Sequence, residues 1–377
     1  MATYSYFATA AKGLEEALAT ELLALGLQSI KVESGGVGFE GSRTDGYRCC
    51  LWLRTANRVL QQLSSFECPT VEALYSSTVD IAWEEHLTPE MTLAVDANLR
   101  DSRLNHSGYA ALKTKDAIVD RLRQRFGKRP NIDTKNPDIR INLYIARNQA
   151  ILSLDMAGTA LHQRGYRQEQ MVAPIRETLA AGIIQLTGWN DSTPFVDPMC
   201  GSGTFPIEAA LYASKTAPGL LGSTAYSFQK WPCFQVKVWQ EVLGNAQSAL
   251  HKLPDRFING ADKDRQAVKI AQGNSRRLPF ANAIAWHQCS FSRLKPPERP
   301  GTLVCNPPYG TRLGEQDKLV RFYRLIGDTL KQNWTGWTAW ILSGNLALAK
   351  EVGLKPAKRI VLYNGPIECR LLKFEIF

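Results

Sequence analysis

Asn306-Pro307-Pro308-Tyr309 brings together residue types suited to holding an amino group on a planar ring. Two successive prolines fix the backbone and supply no N–H. The Asn306 side-chain oxygen and the Pro307 carbonyl can therefore both face a ligand as acceptors, with the Tyr309 ring available for stacking. Residues 302–305 (Thr-Leu-Val-Cys) form an apolar run just before it that reads as a central parallel strand. The tetrapeptide then falls at the carboxyl edge of a sheet, where open α/β folds bind ligands. Taken alone, it also fits a strand ending in a proline-rich turn.

A second motif lies upstream. Residues 195–204 (Phe-Val-Asp-Pro-Met-Cys-Gly-Ser-Gly-Thr) read as a short strand, a glycine-bearing turn and the start of a helix that runs through Pro206 and Leu211. Gly201 and Gly203 let the backbone approach a ligand closely, and Asp197 at the strand end is an acceptor suited to an ammonium group or a ribose hydroxyl. The third glycine of a dinucleotide fingerprint is replaced by Pro206, and no phosphate-cradling G-x-x-x-x-G-K-[ST] occurs, so a phosphate ligand is disfavoured. A third strand, residues 257–262, ends in Asp262, which can accept from both hydroxyls of a ribose or, more plainly, cap the helix expected over 265–275. Its position after Asp197 and before Asn306 favours the ligand role.

In this order the motifs resemble the amino-methyltransferases that use S-adenosylmethionine (SAM) and carry an N-P-P-Y site for exocyclic nitrogens. Residues 173–181 (Ala-Pro-Ile-Arg-Glu-Thr-Leu-Ala-Ala) look like the helix such enzymes place before the glycine loop. Residues 153–158 and 161–167 look like the end of a THUMP domain. The combination is similar to the large-subunit ribosomal RNA guanine-N2 methyltransferases of the RlmL type and covers essentially the whole chain. It implies Asn306, Pro307, Pro308 and Tyr309 as the catalytic group, and Asp197, Cys200, Gly201, Gly203, Thr204, Asp262, Lys263 and Ser290 around SAM. It further implies structured RNA, 23S rRNA foremost, as partner, and requires no metal. From the residues alone, Cys200 reads more simply as a small buried side chain beside the glycines than as a ligand contact. Two departures stand out. Larger relatives carry a second methyltransferase domain, whereas this sequence ends at Phe377, so only the first half's activity is implied; and where many relatives place an acid for the adenine amine, residues 286–291 offer only Ser290.

The 377 residues suffice for two or three domains with substantial cores. Lys and Arg (45) exceed Asp and Glu (35), and the pI of about 9.2 favours a polyanionic partner without choosing between RNA and DNA. Lys12, Glu15, Glu16 and Glu21 interrupt the first apolar stretch, so neither export nor membrane insertion is indicated and the cytoplasm is the expected compartment. Eight cysteines without paired C-x-x-C spacing and five histidines support neither a disulfide framework nor a zinc site.

The expected architecture is α/β: a seven-stranded Rossmann-like methyltransferase domain (166–377) preceded by an α+β ferredoxin-like domain (1–65) and a THUMP domain (66–165). Strand signals at 4–8, 93–98 and 139–145, a helix through Leu14 to Leu25 and a hairpin at Gly35-Gly36 populate the first part. A basic helix carries Lys113, Lys115, Arg121, Arg123 and Arg125. By itself this is a solvated face; set beside Arg164, Arg167 and the THUMP resemblance, it becomes a candidate phosphate surface. Strands at 258–260, 284–287, 302–305 and 339–342, with a closing antiparallel pair at 359–363 and 369–377, complete the sheet. An insertion at 216–255 bears Phe228, Trp231, Phe234 and Trp239, read as packing aromatics. Rival readings are a tRNA guanine-N2 methyltransferase, an adenine-N6 methyltransferase, and a non-catalytic RNA-binding assembly factor.

Overall fold

The computed structural model of the protein describes residues 2–169, 175–222, 225–255, 257–297, 301–310 and 316–377. The strands are β1 (Tyr4–Ala10), β2 (Gln28–Glu33), β3 (Gly36–Gly41), β4 (Ala56–Glu67), β5 (Thr92–Arg100), β6 (Asn131–Ile132), β7 (Ile139–Ala146), β8 (Gln149–Asp155), β9 (Phe195–Asp197), β10 (Ile258–Asp262), β11 (Ile284–Gln288), β12 (Thr302–Cys305), β13 (Thr338–Ser343), β14 (Lys358–Asn364) and β15 (Ile367–Glu375). The helices are α1 (Glu15–Ala24), α2 (Arg43–Trp52), α3 (Val71–Val79), α4 (Ser107–Phe126), α5 (Glu177–Thr187), α6 (Thr204–Ala213), α7 (Val236–Ser248), α8 (Arg265–Ser275), α9 (Gln316–Asn333) and α10 (Leu346–Lys350). Ala173 and Pro174, expected to open the helix before the glycine loop, lie outside the described residues. Among the described residues no helix is long and apolar enough to cross a membrane.

Two compact units emerge: Met1–Ala10, Ala19–Leu161 and Ser223–Gly244 form the first, and Ala11–Leu18, His162–Gly222 and Asn245–Phe377 the second. The first is built on one sheet in the order β2-β3-β1-β4-β8-β7-β5-β6. β4 makes this continuity, pairing with β1 on one side and β8 on the other. In β7, Ile139, Ile141, Leu143 and Ile145 are fully buried while Tyr144 is exposed, the period-two pattern of a half-covered sheet. Part of the aromatic insertion folds here: Phe228 stacks on Tyr47 with centroids 4.4 Å apart and meets Trp239 edge-on at 5.2 Å. These rings are core, as their reading as packing aromatics anticipated.

The second unit is a seven-stranded sheet, β11-β10-β9-β12-β13-β15-β14, parallel except for β15, which runs antiparallel to both its neighbours. From β9 the chain winds outward through β10 and β11, then returns to β12 on the other side of β9. The carboxyl ends of β9 and β12 thus meet where the winding reverses, the place at which open α/β sheets form a ligand crevice. α9 covers one face: Tyr323, Ile326 and Leu330, at helical spacing, pack into a core with Leu303, Cys305, Ile341 and Phe374.

Gly327 lets α9 approach the backbone of Val352, because a Cβ there would stand 1.7 Å from the Val352 carbonyl oxygen. Gly327→Ala should therefore lower stability by about 1–3 kcal/mol through overpacking. Urea denaturation checks this, and an unchanged midpoint would show that α9 does not depend on the close approach.

Candidate active site

Asp197 ends β9 and is 1% exposed. Its Oδ1 accepts from the Met199 N–H at 3.0 Å, which turns the chain into the loop. The Cys200 N–H then donates to the Ala261 carbonyl of β10 at 2.8 Å, and the Gly201 N–H donates to Asp262 Oδ2 at 3.0 Å. Gly201 (φ +52°) and Gly203 (φ +87°) both occupy the left-handed region, but for different reasons. A Cβ on Gly203 would stand 2.7 Å from the Trp286 ring and 3.0 Å from Ala271 Cβ, so its absence lets the loop seat on α8 and β11. A Cβ on Gly201 would meet nothing within 4 Å among the described residues. One glycine serves packing, and the other borders open space.

Asp262, at the end of β10, is held at both oxygens, since Oδ1 accepts from the Asp264 N–H at 2.9 Å while Oδ2 faces Gly201. Each carboxylate oxygen keeps a second lone pair for another donor. Beside it opens a cavity of about 630 Å³, whose walls include Asp262, Lys263, Ser290, Asn306 and Pro308 on the sheet side and Lys318, Phe322 and Ile326 of α9 opposite. The ends of β10, β11 and β12, expected from sequence to share a site, therefore do so, and Pro198 and Met199 after β9 line the same cavity. Ser290 Oγ lies 3.2 Å from Ser292 Oγ, so a pair of hydroxyls occupies the position after β11.

Asn306 follows β12 directly. Its Oδ1 is buried and has no hydrogen-bond partner among the described residues. Such an orphaned acceptor costs roughly 1–3 kcal/mol and is compatible with a donor supplied by a ligand. Pro307 is buried, as the fixed turn requires. Tyr309 is half-buried: its hydroxyl accepts from Asn364 Nδ2 at 3.0 Å, and its ring rests over Gly344, where a Cβ would come within 3.0 Å. Burial pushes the Tyr309 phenol above its usual range, so it stays protonated.

The remaining expected residues are placed differently. Cys200, 6% exposed, and Thr204, 3% exposed, are buried outside the cavity wall, and Asp197, Gly201, Gly203, Pro307 and Tyr309 are likewise not part of that wall. The expectation that Arg164 contacts phosphate is corrected: it is 3% exposed, with Nε 3.2 Å from Glu208 Oε1, and Tyr166 donates to the same carboxylate at 3.1 Å. Arg167 likewise works inside the unit, donating to Thr204 Oγ1 at 2.9 Å and to the Ile175 carbonyl at 3.0 Å, with Glu177 at 3.2 Å. On α4 of the first unit, Arg121 pairs with Glu84 at 2.8 Å and Arg125 approaches the same carboxylate at 3.8 Å. Arg123 meets Asp120 at 3.6 Å, Lys115 pairs with Asp116, and Lys113 lies 5.7 Å from the Tyr109 ring centroid. Arg123 and Arg125 remain solvent-exposed, each within ion-pair distance of an acid, and Arg125 shares Glu84 with Arg121.

Two contributors escaped the sequence reading. α9 supplies a whole cavity wall, and the spacing of Leu319, Tyr323, Ile326 and Leu330 was a helical signal that could have revealed it. Asn274, 3% exposed on α8, donates to the carbonyls of Ser202 (3.0 Å) and Glu169 (3.1 Å) and accepts from the Gln168 N–H (2.9 Å). It ties the glycine loop to the segment before it, and nothing in the local sequence marks it.

Fold and site together define a methyltransferase-type α/β domain, with an acid at the end of each of two adjacent strands and an amine-type acceptor after a third. Residues 164–373 match the family described as RMKL-like, methyltransferase domain, residues 5–60 the RlmL ferredoxin-like domain, and residues 68–155 the THUMP domain. The chain belongs to the RMKL-like methyltransferase family. It is 45% identical over 387 residues to the ribosomal RNA large subunit methyltransferase K/L of Syntrophotalea carbinolica, covering 100% of this chain and 54% of that protein. The chain thus spans about half the length of such relatives. It is 41% identical to the slr0064 protein of Synechocystis, covering 100% of this chain and 97% of that one. The SMU.472 protein, solved in complex with SAH, is 32% identical with a TM-score of 0.91, over 100% of this chain and 99% of that one.

Burial pushes the Asp197 carboxyl well above the usual range; the nearby Asp262 charge adds to this and the Met199 N–H opposes it. An acid raised in the folded state contributes stability that is present below its unfolded pKa of about 3.9 and is lost as pH rises through the folded value. Asp197→Asn should remove that decline, leaving the variant at least as stable as the parent at neutral pH. Melting temperatures across pH 4 to 8, a window set around the ordinary carboxylate range, check this; a variant losing stability relative to the parent as pH rises would contradict it.

Proposed function

We propose that this chain methylates the exocyclic N2 amine of a guanine in 23S ribosomal RNA, using SAM. The observation that carries the reading is the buried Oδ1 of Asn306, which has no partner among the described residues and is set between the fixed Pro-Pro turn and a cavity edged by Asp262. The cofactor half is supported by Gly201, whose missing side chain leaves open space, by Asp262 with lone pairs to spare, and by the relative solved with SAH. The RNA half is supported by the THUMP match and by relatives named for large-subunit rRNA methylation. The site of action is the cytoplasm, where rRNA is made in bacteria.

When bound, SAM supplies an electrophilic sulfonium methyl group. Asp262 would accept from the ribose hydroxyls, Asp197 would face the ammonium end, and Lys263 and the Ser290 hydroxyl would lie along the cavity toward the adenine. A guanine amine is a weak nucleophile because its lone pair is delocalised into the ring. Accepting its two protons on Asn306 Oδ1 and the Pro307 carbonyl aims that lone pair at the methyl group, so positioning and preorganised dipoles supply most of the acceleration. Tyr309 would stack on the base, which must leave its helix or loop to enter. Its anchored hydroxyl fixes the ring plane beforehand.

Asn306→Ala should reduce turnover by at least about 100-fold, the scale of a lost positioning and electrostatic contact, with SAM affinity nearly unchanged. Asp262→Ala should do the reverse first, weakening SAM by about 1–3 kcal/mol. Calorimetry with SAM and transfer of a labelled methyl group to rRNA separate the two. Near-normal transfer by the Asn306 variant would end the proposed chemistry.

A further inference from the structure

The excess of positive charge is not spread evenly along the chain. The first unit contains 19 Lys and Arg against 18 Asp and Glu, a net of +1, whereas the second contains 26 against 17, a net of +9, together giving the +10 of the chain. Pairing sharpens the contrast. At least ten of the nineteen basic residues in the first unit lie within ion-pair distance of an acid. In the second unit, among the described residues, six of 23 do.

Several of the unbalanced charges border the cavity. Lys263 and Lys318 line it, from the loop after β10 and from α9. Arg293 and Lys295 follow Ser292 of the same wall, in the stretch that packs against α9, and Arg321 lies one turn beyond Lys318. All five are exposed, and none has an ion-pair partner among the described residues. Unpaired cations raise the local potential and exchange condensed counterions for phosphates, whereas cations already facing carboxylates contribute little net field.

We propose that the phosphodiester backbone of the substrate RNA is gripped by this basic rim of the methyltransferase unit, with Arg293, Lys295 and Arg321 as phosphate contacts, and not by the basic helix α4, four of whose five cations already lie beside acids. The rim holds the strand where a base must be turned into the cavity, so electrostatic capture and base entry occur at one mouth. The first unit, nearly neutral, then contributes to RNA binding through shape and non-ionic contacts. This rests on the reading of the site as an RNA methyltransferase.

The test is the salt dependence of binding of the full chain to a structured 23S rRNA transcript, followed by fluorescence anisotropy. Each phosphate contact contributes about 0.7 to 0.9 to the slope of log K against log salt. The triple variant Arg293→Glu, Lys295→Glu, Arg321→Glu should lower that slope by about two and weaken binding at least about tenfold, with SAM affinity retained as the check on folding. The variant Lys113→Glu, Arg123→Glu, Arg125→Glu should leave the slope within about one of the parent. The opposite pattern, slope kept by the first variant and lost by the second, overturns the inference and leaves the functional reading intact. A parent chain with no salt-dependent affinity for the transcript would sink the functional reading and the inference with it.

Discussion

The site depends on β9 being hydrogen-bonded on both sides, to β10 and to β12. Phe195 pairs with Ile258 on one flank and Thr302 on the other, and Asp197 aligns with Gly260. These registers bring the ends of three strands to one edge of the sheet, so Asp197, Asp262 and Asn306 become neighbours although they are far apart in sequence. A one-residue slip would turn each acid to the opposite face. The buried apolar face under α9 prevents that slip, since Val196, Leu303 and Cys305 have no other place to go.

The same edge carries polar groups in unfavourable positions. Among the described residues, Asp197 is buried against its own charge, Asn306 Oδ1 lacks a partner, and a side chain at Gly201 would meet nothing. Folding alone gains nothing from these features. Their cost is borne by the β-sheet and α9 core, and a ligand with an ammonium group, a ribose and an aromatic amine would relieve each of them in turn. The buried Arg164–Glu208 pair with Tyr166 is a different case, because its members satisfy one another and a lone partner would be left charged in the core.

Much of this was legible in the sequence where local chemistry and burial pattern coincide. The helix over Arg265–Ser275 and the strand Thr302–Cys305 have the expected bounds; an uninterrupted apolar run marks the strand, whereas the helix is capped by Asp264 and not by Asp262, the cap that the sequence offered. Other features were not local. Arg164 and Arg167 looked like surface cations because their acid partners, Glu208 and Glu177, lie elsewhere in sequence and only the fold joins them. The charges of α4 were read without Glu84, which reaches them from a separate turn. Asn274 acts through backbone carbonyls of distant residues, a role for which no residue pattern exists.

The central claim is that the Asn306 pocket receives the N2 amine of a guanine in 23S rRNA. Mass spectrometry of nucleosides from 23S rRNA, compared between cells with and without this gene, tests it most directly. The account predicts that one N2-methylguanosine disappears on deletion and returns when the gene is restored. Loss of N6-methyladenosine instead, or an unchanged 23S rRNA profile with a modified guanine missing from tRNA, would contradict it.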